Sequence, residues 1–254
     1  MERIRTRSAI GINTTALRNW GALFLIVGII GKCILQDRLA GLNHQDLLAV
    51  MEGPTWMLLC AILGILMQLL EACAIPIFAY LLVEGFRRTG DLKKYILRLL
   101  AAAILSELPY NLAYGGRLLD ISSRNPVFAM VLGLVLLYFY SAYPEKNTKS
   151  RVMKVLLTVA TLIWAFMLGI QYGVPIIAIV AVLWGCREKK RVRAAAGAGV
   201  AILCSFYSLY MIAAPMGFLA VHLCNEEPAE YNRRAYYLSY PIFLTVAGVL
   251  GLFL

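Results

Sequence analysis

EACAIPIFAYLLVEGFRRTGDLKKYILRLLAAAILSELPYNLAYG, residues 71–115, holds two long apolar runs on either side of a basic linker. Each run approaches the roughly 20 apolar residues that a helix needs to cross a bilayer. Glu71, Glu84 and Glu107 nevertheless lie within these runs or at their edges. An acid near a membrane core is costly, and by default it marks a site.

The rest of the chain agrees with a membrane reading. It is 61% hydrophobic and only 15% charged over 254 residues, with a mean hydropathy of +0.75. Soluble domains are about 45–50% apolar and about 25% charged. Apolar spans are expected near 17–36, 66–86, 95–112, 126–142, 152–170, 172–186, 195–214 and 235–254. No polar stretch is long enough for a second domain, so residues 1–254 read as one transmembrane unit. Arg3, Arg5, Arg7 and Arg18 precede the first span without a small-residue cleavage site, which predicts an uncleaved helix.

The run from Pro54 to Phe86 is too long for one perpendicular span, and loop charge arbitrates. If it crosses once, with its first part tilted or interfacial, eighteen Lys and Arg fall on one side and five on the other. The positive-inside rule then predicts an all-α bundle of about eight helices with both termini cytoplasmic. The net charge of +10 forms rings between spans, a topology signal rather than a nucleic-acid face. Arg187, Lys189, Lys190, Arg191 and Arg193 form a juxtamembrane cluster suited to anionic lipids. The six cysteines lack metal-type spacing and sit mostly in apolar runs, so neither metal nor disulfide is expected.

This topology gathers Lys32, Glu71, Glu107, Asn111, Gln171, His222 and Glu226 toward the outer side. Lys32 is expected to pair with Glu107 or Glu71. Glu84 has Arg87 and Arg88 beside it and reads as an interfacial anchor, as does Glu71. Glu107 is followed by Pro109 and Asn111 and is the acid with the strongest claim to function. His44 and His222 have no evident catalytic partner. Pro76, Pro109, Pro175, Pro215 and Pro241 fall within or at the ends of spans, as is common in membrane helices.

Pro76-Ile-Phe-Ala-Tyr-Leu-Leu-Val-Glu-Gly-Phe86 resembles the "FPIFAFLLVEGF" pattern of the TraX family of bacterial membrane proteins. The segment from Lys94-Tyr95 to Ser106-Glu-Leu-Pro-Tyr-Asn111 is similar to its "KKYLLRL" and "SEIPFDLAF" patterns. Weaker echoes occur at Asn125 to Leu137, Gln171-Tyr-Gly173 and Tyr240-Pro241. The resemblance implies a multi-pass protein of the bacterial plasma membrane that transfers an acyl group from acetyl-CoA or another acyl-CoA. The family's founding member acetylates the N-terminus of a pilin. No resident cofactor is implied.

The resemblance breaks at the ionisable positions. The family's D-H-I-G motif aligns with Gly28-Ile29-Ile30-Gly31, the aspartate of "DYG" with Gln171, and the histidine of "YPLH" with Phe243. The first expectation is therefore a degenerate acyltransferase acting as a structural or partner-binding membrane subunit. An alternative is an active N- or O-acyltransferase with a rearranged site, in which Glu107, Lys32 and Gln171 are catalytic and Asn111, Tyr110 and Tyr240 bind substrate. A third reading is a small-solute transporter, although no inverted repeat supports it.

Overall fold

The structure, a computed structural model, describes residues 11–42, 47–120, 122–143, 147–225 and 233–253. Its elements there are helical, apart from two isolated bridges at Ile12–Cys224 and Arg124–Ile170. Three helices are long and apolar enough to cross a membrane: Thr55–Arg88, Leu92–Gly115 and Thr148–Met167. Shorter apolar helices cover Val127–Ser141, Gly173–Gly185, Leu209–Leu223 and Tyr237–Phe253.

Helix α1 (Thr14–Ile29) is capped by Asn13, whose side chain accepts from the Ala16 amide, and it continues as a wider π-helical stretch over Ile30–Leu39. The short α2 (Leu47–Glu52) leads into α3 (Thr55–Ala72), and α4 (Ala74–Arg88) follows after a single turn residue, Cys73. Pro76 explains that break, because it has no N–H to donate to the Ala72 carbonyl and its ring crowds that oxygen. Small residues set how closely α1 and the α3–α4 rod approach. A methyl placed on Gly21 would lie 3.0 Å from Ile77, on Gly28 2.2 Å from Glu71, and on Gly31 2.6 Å from Met67. Gly64 abuts Gln36, whose side chain also bonds to Gln68 at 2.5 Å. These contacts step one way along α1 and the other way along residues 64–77, so the rod descends α1 as one antiparallel crossing. Close helix approach over glycine is the usual means of association in lipid, where burial of apolar surface drives little.

Helix α5 (Leu92–Tyr110) carries Pro109 inside it and ends in a π-helical turn, Asn111–Gly115. Helices α6 (Val127–Ser141), α7 (Thr148–Met167) and α8 (Gly173–Gly185) follow in alternating directions. Much of α7 is exposed, including Val155, Ile163, Trp164 and Phe166, which suits contact with lipid. The main core lies between α4, α6 and α8, around Ile77, Tyr80, Leu134, Leu137, Ile177 and Leu183.

The expected single span at 195–214 is instead the first half of a hairpin. Helix α9 (Lys190–Leu203) leads through 3₁₀ turns at Cys204–Phe206 and Leu209–Ala213 into α10 (Ala214–Leu223), which folds back along it. Lys190 Nζ at the start of α9 donates to the carbonyl of Cys224 just past α10. Gly197 makes room for the Phe218 ring, and Gly217 brings α10 against the Cys73 carbonyl at the α3–α4 break.

This return reverses the last helix. Near its start, α11 (Arg233–Phe253) places Tyr237 in one cavity with Thr14 and Arg18, while Gly251 lies against Arg38 at the far end of the α1 stretch. The two ends of the described chain therefore lie at opposite ends of the bundle, and the expectation of two cytoplasmic termini is corrected. Arg233 and Arg234 move with the start of α11 to the end that holds Arg87–Arg98 and Arg187–Arg193. His222 moves there as well, away from the outer group. Glu226, one turn on from His222, and the other histidine, His44, lie outside the described residues.

Candidate functional site

Two neighbouring cavities lie between α1, α4, α5, α6 and α11 and share part of their lining. The inner one is an apolar chamber of about 150 Å³, lined by Ile29, Glu71, Ser106, Tyr172, Tyr240 and Phe243 among others. The second, of about 500 Å³, opens at the basic end and is lined by Arg18, Arg88, Arg98, Glu84, Asp91 and Tyr95. Phe78, Leu99, Met130 and Tyr237 line both, forming a collar between vestibule and chamber.

Glu71 is the one carboxyl in the chamber wall. It is 5% exposed, and none of the hydrogen bonds among the described residues reaches it. The hydroxyls of Tyr110, Tyr114, Tyr172 and Tyr240 lie within its electrostatic reach. Its depth follows from its place in the α1–α3 contact, where it faces Gly28 rather than the end of a helix. The reading of Glu71 as an interfacial anchor is therefore corrected. Buried acids are ordinarily paired, which makes a carboxyl unpaired among the described residues, beside open space, the chief chemical feature of the interior.

Gly28 is where the family resemblance expects an aspartate, and Glu71 occupies the space that a side chain there would take. A methyl on Gly28 would sit 2.3 Å from Glu71 Oε2. Ile29 and Phe243, which stand where the family has histidines, also line the chamber, and Gln171 immediately precedes the lining residue Tyr172. Two of the positions where the family resemblance expects an ionisable group, 29 and 243, thus line one chamber, and the facing helix brings Glu71 into its wall.

The six residues expected to form the site do not all meet: Tyr110 and Tyr240 share one packed cluster, whereas Lys32 and Glu107 are held by separate partners. Lys32 is bonded to Asp37 within the π-helical stretch, not to Glu107 or Glu71. Glu107 joins the end of α5 to the start of α6. It accepts from Arg124 at 3.2 Å, from the Asn125 side chain at 2.7 Å and from the Asn125 amide at 3.3 Å. Asn125 in turn donates to the Ala103 carbonyl and caps α6 by accepting from the Val127 amide. A carboxylate held this way is a fastener, with its acceptor sites already occupied. Gln171 is held through its backbone by the Arg124 carbonyl. Asn111 donates at 3.5 Å to the Leu118 carbonyl. Tyr110 bonds Ser123 at 3.0 Å and stacks on Tyr114 at 4.6 Å. Of the six, Tyr240 alone lines the chamber.

At the basic end, Glu84 is held by Arg87 at 2.7 Å and Arg88 at 3.2 Å. Arg193 is buried and stacks on Tyr80 at 4.9 Å, so it is not part of the surface expected to meet lipid. Asp91 lies outside the membrane-spanning segments and caps α5. The Lys94 amide, and then the Lys94 side chain, hold its carboxyl below the usual aspartate range.

The described residues are helical and include three helices long and apolar enough to cross a membrane, packed around a cavity whose wall carries a carboxyl. The family model described as TraX protein matches residues 42–251, and the chain belongs to that family. No curated protein and no solved structure matches it.

Proposed function

We propose that this chain is a membrane acyltransferase of the bacterial plasma membrane, in which Glu71 has taken over the work of the acid absent at position 28. The single observation behind this reading is the Glu71 carboxyl, which fills the space over Gly28 in the wall of a chamber that adjoins the cavity at the basic end. With the basic end in the cytoplasm, as the positive-inside rule favours, the vestibule faces the compartment that holds acyl-CoA.

In the transfer, Glu71 takes the proton from the acceptor amine or hydroxyl as its nitrogen or oxygen attacks the thioester carbonyl. The C–S bond then breaks, and the departing sulfur takes up the proton, which returns Glu71 to its starting state. The Tyr240 hydroxyl is the donor in the chamber wall that can meet the negative oxygen of the tetrahedral intermediate.

The test is transfer of radiolabel from acetyl-CoA by membranes containing the chain. Glu71→Gln should lower the rate by about 10²–10⁴, the usual contribution of a positioned base, while Glu107→Gln leaves chemistry intact. Wild-type rates in Glu71→Gln would overturn the assignment. Ile29 and Phe243 in the chamber wall favour a second reading, a scaffold subunit that has lost catalysis. Absence of transfer to any membrane acceptor would select it.

A further inference from the structure

We propose that the vestibule is an anion site that takes the phosphate-bearing head of the ligand whose apolar end enters the chamber, with Arg98 and Arg18 as its cationic contacts. This rests on the acyl-transfer reading for the identity of the ligand, but not for the site itself.

The vestibule has a volume of about 500 Å³ against about 150 Å³ for the chamber, so the two halves suit a ligand with a bulky head and a small tail. Their walls differ in the same sense. The chamber wall carries one charged side chain, Glu71, whereas the vestibule wall carries Arg18, Arg88 and Arg98. Both acids of that wall are matched near their own positions, Glu84 by Arg87 and Arg88, and Asp91 by Lys94 at 3.0 Å. Arg98 bonds through Nε to the Lys94 carbonyl at 3.0 Å, and none of the described ion pairs engages its guanidinium. Arg18 is buried on α1 in the same wall. The N-terminal turn of α1 also borders the vestibule, at Thr14, and adds a positive helix end to the guanidinium groups. Arginine is the side chain best shaped for phosphate oxygens, because its planar fork gives two parallel bonds.

The chamber sets the other half of the ligand. A cavity of about 150 Å³ accommodates a benzene-sized group, which suits a short acyl chain. The collar of Phe78, Leu99, Met130 and Tyr237 marks where head gives way to tail.

Phosphate can come from a soluble thioester donor or from a lipid headgroup, and one titration separates them. Free coenzyme A is titrated against the full chain in phosphatidylcholine nanodiscs and in discs containing phosphatidylglycerol. We expect binding in the first, with affinity about tenfold weaker in Arg98→Gln, partly restored in Arg98→Lys, and unchanged in Glu71→Gln. Arg98 is exposed, so its loss spares the fold. Arg18→Gln serves as a second variant, read only where its melting curve matches the wild type. If phosphatidylglycerol displaces coenzyme A and Arg98→Gln removes that competition, the anion site stands and its occupant is a lipid head. Coenzyme A binding that is indifferent to both arginines, or no binding of either phosphate, overturns the proposal. Transfer activity lost in Glu71→Gln with binding retained would keep the two proposals separate.

Discussion

Replacing Gly28 by alanine tests the internal geometry through the sign of a single stability change. In the interior of an exposed helix, alanine is about 1 kcal/mol better than glycine. At position 28 the added methyl would stand 2.2 Å from Glu71 Cβ and 2.6 Å from its Cδ. Ordinary contact begins near 3.4 Å, so α1 and α3 would have to part by about 1 Å. Neither end of the interface has room to spare, because a methyl on Gly21 or Gly31 would lie only 3.0 Å or 2.6 Å from the facing helix. Overpacking of this kind costs about 1–3 kcal/mol, and the backbone-level contact places Gly28→Ala at the upper end. At about 2–4 °C per kcal/mol for a chain of this size, the melting temperature should fall by roughly 4–12 °C. Gly199 in α9 has nothing within 4 Å of an added methyl, so Gly199→Ala is the matched control and should melt slightly higher. Pairing Gly28→Ala with Glu71→Gly removes the opposing Cβ and should recover most of the loss, a coupling of about 1–3 kcal/mol in a double-mutant cycle. The assay is thermal unfolding in one detergent at a fixed scan rate. If Gly28→Ala melts with or above the wild type, as Gly199→Ala should, Glu71 does not fill the space over Gly28.

Other substitutions separate fasteners from chemistry. Glu107→Ala strands Arg124 and both Asn125 donors and should cost about 1–3 kcal/mol, seen as a lower melting temperature with transfer by the folded fraction unchanged. Lys32→Met leaves Asp37 buried without its partner and should cost about 3–5 kcal/mol, while adding Asp37→Leu recovers most of it; melting curves of the three variants decide. Phe78→Ala opens the collar, and competition between donors should then shift preference from two-carbon toward six-carbon or longer acyl groups. For Asp91 the folded-state pKa is depressed, so its stabilising effect is present above the unfolded value of about 3.9 and is lost as pH falls through the folded one. The substitution Asp91→Asn should keep the cap but lose this pH dependence, which a melting series between about pH 6 and about pH 3 would show.

The crossing by residues 54–86 was legible in the sequence because charge bounds it. Arg87 and Arg88 close its lower end, and only a single crossing keeps the basic loops together. The hairpin was not legible in the same way. Residues 194–223 hold no Lys, Arg, Asp or Glu, so neither hydropathy nor loop charge marks the turn at Cys204–Ala213. Pro215 was visible, but a proline in the first turn of a new helix reads the same as one inside an old helix until the fold shows which it is. A signal did exist in Arg233 and Arg234. Returning the chain before them brings both to the basic end and leaves Arg38, Arg117 and Arg124 as the loop cations at the other.

The site residues were harder to read, for a related reason. Depth counted along each helix puts Glu71 near an outer end and Glu107 beside proline-freed backbone. What decides their roles is the neighbour across the interface, which a count along one helix does not see. Glu107 meets the donors of Arg124 and Asn125 and is consumed by them, whereas Glu71 meets a glycine and an open chamber. A glycine where an acid is expected looks like a loss when α1 is read alone. Read with α3, it is the vacancy that admits a longer acid from the facing helix. Gly28 and Glu71 are therefore one packing unit, since a side chain added at 28 and the Glu71 carboxyl would claim the same space.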